Sequence, residues 1–253
     1  MQMRKTILIT GASSGLGEGM ARLWAGMGRD LALCARRTDR LAALRAELLA
    51  QHPGIRISIK ALDVNDHAQV FEVFHAFADE FAERGGLDRI VVNAGSGKGQ
   101  PLGTGYFKAN LQTAETNFVA ALAQFEAACE IFRQQNHGHL VAISSMSAMR
   151  GLPRNTTTYA ATKAGLKALA EGLRIDLRHT PIKVSTIYPG YIRSEINAKV
   201  KKVPFIVDTE TGCRALVRAI EREPNEACVP AWPWALLGFV MRHAPLAVVD
   251  RIA

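Results

Sequence analysis

Short runs of apolar, β-branched residues recur along the chain, and between them the apolar positions change to helical spacing. The runs are TILIT (6–10), DLALCA (30–35), IRISIKAL (55–62), DRIVVNA (88–94), HLVAISS (139–145) and KVSTIYP (183–189). Several are apolar throughout, as strands covered on both faces should be. Gly15–Met27, Asp39–Ala50, Asp66–Glu83, Leu111–Gln134 and Thr158–Arg178 read as helices. Strand and helix alternate, and ITGASSGLGEGMARLWAGMG carries a strand, a turn and a helix in that order. The pattern predicts the α/β class: a doubly wound parallel sheet with helices on both faces. Ligands of such sheets bind at the carboxyl ends of the strands, near the point where strand order reverses.

Composition keeps this picture and bounds it. The chain has 253 residues, 48% hydrophobic and 21% charged, with no internal repeat and no linker-like stretch, so one domain over 1–253 is expected. The start, MQMRKTILITGAS, does not read as a secretory leader, because its apolar run Ile7–Ile9 meets glycine at once. The longest run without a charged residue or histidine, Ala227 to Met241, holds 15 residues and two prolines. A bilayer crossing needs roughly 20 apolar residues. The run therefore suits a dip into a membrane surface or packing on a second subunit, and 227–253 stands apart as an apolar C-terminal extension. Cys34, Cys129, Cys213 and Cys228 lack metal or redox spacing and are expected as thiols in a reducing cytoplasm. The histidines form no metal ladder, HGH at 137–139 reading as a turn before a strand, so no metal site is expected.

Charge is lopsided. Of the net +8, residues 1–126 carry 14 basic and 13 acidic side chains and residues 127–253 carry 17 and 10, which leaves +7 in the second half. No nucleic-acid motif accompanies it, and nucleic acid is not the expected partner. A phosphorylated cofactor, an anionic substrate or an anionic membrane surface would explain the excess as well.

TGASSGLG, Thr10 to Gly17, follows a strand and opens a helix. Gly11 can take the tight turn, and Gly15 and Gly17 let the main chain approach a pyrophosphate on the helix N-terminus, with Ser13, Ser14 and Leu16 between them. The spacing is G-x-x-x-G-x-G. At the end of the second strand an acidic residue would select NAD, but here stand Arg36 and Arg37. Arginines grip a 2′-phosphate bidentately. One charged hydrogen bond of roughly 1.5–3 kcal/mol favours NADP(H) by about one to two decades.

In TTYAATKAGL (157–166), Tyr159 and Lys163 share one helix face. Bringing a phenol from a pKa of about 10 to near 7 takes roughly 4 kcal/mol. A cation about 5 Å away supplies around 3 kcal/mol at an effective dielectric near 20. An oxidised nicotinamide, also cationic, is a second source. Tyr159 can thus serve as general acid or base at neutral pH. Taken alone, Y-x-x-x-K also fits an ordinary surface pair.

The set of motifs is what distinguishes it. TGASSGLG, NAG (Asn93–Gly95), Asn117 in TNF, ISS ending at Ser145, YAATK and YPG (188–190) follow one another as in the short-chain dehydrogenase/reductase family, which residues 5–195 resemble. The resemblance implies a Rossmann-type domain, a nicotinamide cofactor and a catalytic set of Asn117, Ser145, Tyr159 and Lys163. Ser145 would bond the substrate oxygen. Tyr159 would exchange the proton. Lys163 would depress the tyrosine pKa and hold the nicotinamide ribose, and Asn117 would anchor a relay water. Asp63 and Val64 would contact adenine, Asn93, Ala94 and Gly95 the adenosine ribose, and Pro189, Gly190, Ile192 and Ser194 the nicotinamide amide. The chain departs from the family pattern at Val92, usually asparagine, at Ser194, often threonine, and at Ser14, where NADP-preferring relatives often carry a base. Ser144 and Ser147 are rivals of Ser145, which is preferred because it ends the strand in the family's position.

The expected function is an NADPH-dependent carbonyl reductase or its reverse, acting on a hydrophobic carbonyl or alcohol of steroid, retinoid or lipid type. Tyr191, Ile196, Val203, Phe205 and Ile206, with Arg193, Lys199, Lys201 and Lys202, make 191–208 the expected substrate lid. A 3-oxoacyl-carrier-protein reductase is the alternative, its acidic carrier suiting a basic rim, and a non-catalytic NADP(H) sensor is the alternative of another class. Trp232 and Trp234 suit peripheral membrane contact. By resemblance, a homodimer or homotetramer would form through the helices 111–134 and 158–178, with Ala161, Ala164, Ala168 and Ala170 allowing close packing.

Overall fold

The computed structural model describes residues 3–97, 99–195 and 205–252. Its centre is a seven-stranded parallel sheet in the order β3-β2-β1-β4-β5-β6-β7. The strands are β1 (Thr6–Thr10), β2 (Asp30–Ala35), β3 (Ile57–Ala61), β4 (Arg89–Val92), β5 (Gly138–Ile143), β6 (Ile182–Pro189) and β7 (Glu226–Val229). The helices are α1 (Gly15–Gly26), α2 (Thr38–Gln51), α3 (His67–Glu80), α4 (Phe107–Ala114), α5 (Ala120–Gln135), α6 (Thr157–Asp176), α7 (Thr209–Glu221), α8 (Ala231–His243) and α9 (Leu246–Ile252).

The apolar strands are apolar because both faces are covered. Ile7 and Ile9 of β1 enter a core with Trp24, Leu31, Leu33, Leu216 and Ile220, whereas Leu8 between them enters the opposite core with Phe74, Phe77 and Phe132. Every residue of β1, β2, β4 and β5 is buried, while the edge strands β3 and β7 are only partly covered. Strand order reverses between β1 and β4, so a crevice opens at their carboxyl ends, where Thr10, Gly11 and Asn93 lie.

The six predicted strands and five predicted helices are present with ends shifted by a few residues, and one prediction is split. The single helix expected over 111–134 is α4, a π-helical turn at Glu115–Val119, and α5. The chain also has elements beyond those predicted. α7 packs along α1, where a Cβ on Gly19 would come within 2.4 Å of Cys213 Sγ. β7 extends the sheet beside β6. α8 returns over the carboxyl end of β6. Of the expected lid, residues 196–204, including Ile196, Lys199, Lys201, Lys202 and Val203, lie outside the described residues. Residues 191–195 and 205–208 are described; they are joined by a bridge of Ile192 to Val207, with Arg193 N donating to Val207 O and Val207 N to Tyr191 O.

Candidate active site

The turn after β1 is built for an anion. Gly11 and Gly15 take φ of +66° and +56°, a region that L side chains rarely adopt. A Cβ on Gly17 would lie 2.4 Å from the Gly11 carbonyl oxygen, so only glycine permits α1 to start this close to β1. Ser14 is the N-cap of α1, but its side chain makes no capping bond. The first N–H groups of α1 thus retain their pull on an anion. Asn93 fastens this turn to β4. Its Nδ2 donates to Thr10 O at 2.9 Å, and the Asn93 and Ala94 amides both donate to Thr10 Oγ1, at 3.0 and 3.1 Å. Thr10 was not singled out from the sequence, although it precedes Gly11 in the fingerprint.

At the end of β2, Arg37 reaches back to the same turn. Its Nη2 donates to Ser14 Oγ at 2.6 Å and its Nε to Ser13 Oγ at 3.3 Å. Arg36 is exposed. The serine in place of the family's base at 14 therefore positions an arginine rather than supplying a charge. Glu195 also enters this corner: Oε2 accepts from Arg37 Nη1 at 3.1 Å and Oε1 from Arg40 Nη1 at 2.7 Å. Arg40 first and Arg37 second hold the Glu195 carboxyl below its usual range. Neither Arg40 nor Glu195 is found by motif, because their meeting joins α2 to a stretch 155 residues further on. Asp63 and Val64 stand just beyond β3; Asp63 Oδ1 accepts from the Asn65 amide at 3.1 Å, which fixes that turn, and Val64 is buried.

The four residues expected to do chemistry come together at the carboxyl ends of β4 and β5. Asn117 is 1% exposed and lies in the π-helical turn, which turns its amide inward. Its Oδ1 accepts from Ser96 N and its Nδ2 donates to Ser96 O, both at 2.7 Å. Lys163 is 5% exposed; its Nζ donates to Ile143 O at 2.9 Å and lies 5.9 Å from the centre of the Tyr159 ring. A Cβ on Gly95 would sit 3.2 Å from Asn117 Oδ1 and 3.6 Å from Lys163 Nζ, so that glycine keeps the floor of the site low. Burial pushes the Lys163 ammonium down to about 8.

The serine rivals separate by geometry. Ser144 Oγ donates to the Lys163 carbonyl at 2.9 Å and is buried, so it serves the α6 backbone. Ser145 begins the 3₁₀ turn Met146–Met149, where its Oγ accepts from Ser147 N at 3.1 Å, and its side chain favours the ionised form of Tyr159. Burial pushes the Tyr159 phenol above its ordinary value, and Ser145 only partly offsets this. Among the groups of the chain itself, loss of water is the largest influence on the phenol.

The far wall is aromatic. The Trp234 indole packs on Gly190, where a Cβ would come within 2.1 Å of it, and Gly190 N donates to Val229 O at 2.8 Å. Tyr191 and Phe205 meet Trp234 edge-on at 5.6 and 6.3 Å, and Met146, Met149 and Tyr188 complete the cluster. Tyr191 also bears electrostatically on the Tyr159 phenol. The two tryptophans expected to act together divide: Trp234 is 5% exposed and Trp232 76%. Ile192 packs on Gly212, and Ser194 lies over Gly15, so the run after Pro189 crosses the glycine turn.

With sheet, turn and four-residue site in place, comparison with known proteins gives the class. A family model described as short chain dehydrogenase matches residues 5–204. An uncharacterized oxidoreductase of Mycobacterium tuberculosis is 53% identical over 250 residues, covering 99% of this chain and 98% of that protein. A short-chain dehydrogenase of Sphingobium yanoikuyae, solved with NADPH, superposes with a TM-score of 0.80 at 25% identity, covering 98% of this chain and 96% of that one. One from Burkholderia phymatum, solved with NAD, gives 0.82 at 21%, over 97% and 95%. The chain belongs to the short-chain dehydrogenase/reductase family, and is an oxidoreductase of that family with the Rossmann-like α/β fold.

Proposed function

We propose that this protein is an NADP(H)-dependent reductase of a hydrophobic carbonyl compound, or a dehydrogenase of the matching secondary alcohol. The observation that carries the reading is the junction of Ser145 with Tyr159, placed between Lys163 on one side and the Tyr191–Trp234 wall on the other. Bound NADP(H) would supply or accept the hydride at its nicotinamide ring. Gly11, Gly15 and Gly17 with the α1 N-terminus would hold its pyrophosphate, and Arg36 and Arg37 its 2′-phosphate. The Ser145 hydroxyl would hydrogen-bond the substrate oxygen. Tyr159, a phenol that burial pushes above its ordinary value, would give that oxygen its proton. Lys163 and Asn117 sit behind it, where a cation and a fixed amide can return a proton from solvent. The aromatic and thioether wall favours an apolar substrate, since burying such a ligand against it removes apolar surface from water.

The test follows NADPH and NADH oxidation with an aromatic diketone, a ketosteroid, retinal and a 3-oxoacyl thioester. Turnover with NADPH on apolar ketones supports the proposal; turnover on the acyl thioester alone moves the assignment to a 3-oxoacyl-carrier-protein reductase, which the basic second half favours.

We read residues 1–253 as one coenzyme-binding domain working as a homodimer or homotetramer in the cytoplasm. The outer faces of α5 and α6 support self-association, with Leu122 and Ile175 exposed. Ala161 and Ala168 point outward there, whereas Ala170, expected on that face, is in the core. No described helix is long and apolar enough to cross a membrane. Trp232, Leu236, Phe239 and Leu246 are exposed on α8 and α9 and suit peripheral contact with a bilayer. Co-sedimentation with anionic vesicles at low salt tests that contact, and absence from the pellet removes it.

A further inference from the structure

We propose that Glu195 is a built-in competitor for the 2′-phosphate of the coenzyme, and that Arg40 is the second arm of the clamp for which the two compete. This rests on the NADP(H) reading above.

Glu195 divides its carboxylate between two guanidinium groups, Oε2 on Arg37 at 3.1 Å and Oε1 on Arg40 at 2.7 Å. A carboxylate held across two arginines makes the same demand as a phosphate monoester: anionic oxygens on one central atom, each meeting an N–H fork. Arg37 belongs to the corner where the coenzyme ribose is expected, and its other nitrogens are occupied by Ser13 and Ser14 of the glycine turn. Its Nη1 therefore faces Glu195 with the rest of the group fixed. Arg40 lies one turn into α2, on the same side.

Glu195 does not arrive there by chance of a loose side chain. Its stretch is tied down by the bridge of Ile192 to Val207 and by Thr209 Oγ1, which donates to Arg193 O at 2.7 Å. Ser194 beside it lies against Gly15. The carboxylate is thus delivered to the arginines by the backbone. All three side chains remain open to water, at 41%, 47% and 56% exposure for Arg37, Arg40 and Glu195. Exposed pairs of this kind are weak and exchange readily. A phosphate dianion carries more charge than the carboxylate and displaces it. A ribose without the phosphate has no such charge, so it leaves Glu195 in place. The same residue thereby lowers affinity for NADP(H) while leaving NAD(H) untouched, and sets how far the protein discriminates between them.

The experiment measures binding, not turnover. Dissociation constants for 2′,5′-ADP, 5′-AMP, NADPH and NADH are obtained by calorimetry and nicotinamide fluorescence on the full chain and on Arg37→Met, Arg40→Met and Glu195→Gln. Glu195→Gln should bind 2′,5′-ADP and NADPH about three- to fivefold more tightly, the scale of an exposed charge contact. Arg40→Met should bind both about tenfold more weakly. Neither should change 5′-AMP or NADH by as much as twofold. Equal changes for the phosphate-free probes, no change in Glu195→Gln, or no change in Arg40→Met each overturn the proposal. Arg37→Met separates this from the parent reading: if it and the unaltered chain bind NADPH and NADH alike, the NADP(H) assignment itself fails.

Discussion

At the scale of single residues, the site turns on what burial does to two titrating groups. Tyr159 is raised and Lys163 lowered, each by loss of water. Removing the phenol oxygen in Tyr159→Phe should cut turnover by roughly two to four orders of magnitude while NADPH still binds, as read by steady-state rates and by fluorescence titration. Lys163 holds its charge below pH 8 and loses it as pH rises through about 8. The kcat/KM for carbonyl reduction, which reports the free enzyme, should therefore fall above about pH 8, and a profile flat to pH 10 would show that the ammonium is not needed. Ser144 and Ser145 should part in the same assays. Ser145→Ala should lose turnover, whereas Ser144→Ala, which loses a bond to the α6 backbone, should lower stability by about 1 kcal/mol and leave more of the rate.

At the scale of elements, the first βα unit was legible because its chemistry is local. Gly11, Gly15 and Gly17 must be glycine for reasons that lie within eight residues of Thr10. Gly17→Ala should force α1 away from β1 and weaken coenzyme binding at least tenfold, measured by titration with NADPH. α7 was also within reach, for Asp208 caps it by accepting from Thr211 N at 2.8 Å, and Cys213, Leu216, Val217 and Ile220 recur at helical spacing. β7 was not, since EACV is a short, half-covered edge strand with a charged first residue. The π-helical turn at Glu115–Val119 leaves no mark in the apolar pattern, because one extra residue in one turn is absorbed within an apparently continuous helix. It is nonetheless what turns Asn117 to Ser96. The aromatic wall was illegible for another reason: Trp234 meets Gly190 only because α8 doubles back, and spacing along the chain holds no trace of that return. Trp234→Phe should raise KM for bulky apolar ketones about tenfold and leave the NADPH dissociation constant unchanged; a matching rise for small ketones would place the tryptophan outside the substrate wall.

At the scale of the molecule, the two ends of the sheet are held differently. The end opposite the site is clamped by charge: buried Arg89 donates to Glu221, and its Nε donates to His139 Nδ1 at 2.9 Å. That bond makes Nδ1 an acceptor, so the proton of a neutral ring sits on Nε2, which donates to Ser185 Oγ at 2.8 Å. Burial first, and Arg89 second, hold His139 well below its ordinary pKa. The unfolded chain then binds a proton near pH 6.5 that the folded one refuses, so stability present above about pH 6.5 is lost as pH falls below it. Melting temperature should drop from pH 7 to pH 5, and His139→Gln should start lower at pH 7 but drop less; an equal drop in both would acquit the histidine. The other end is held by packing, and its parts come from different stretches of chain. The family model matches residues 5–204, and Trp234, which packs on Gly190 and Tyr191, lies beyond it in a stretch that the Mycobacterium tuberculosis relative shares. Drift confined to α8 can therefore change what meets Tyr191 and Gly190, whereas residues 205–221 are bound to the glycine turn through Val207, Thr209 and the packing of α7 on α1, so a graft of the tail between relatives would have to carry that contact with it.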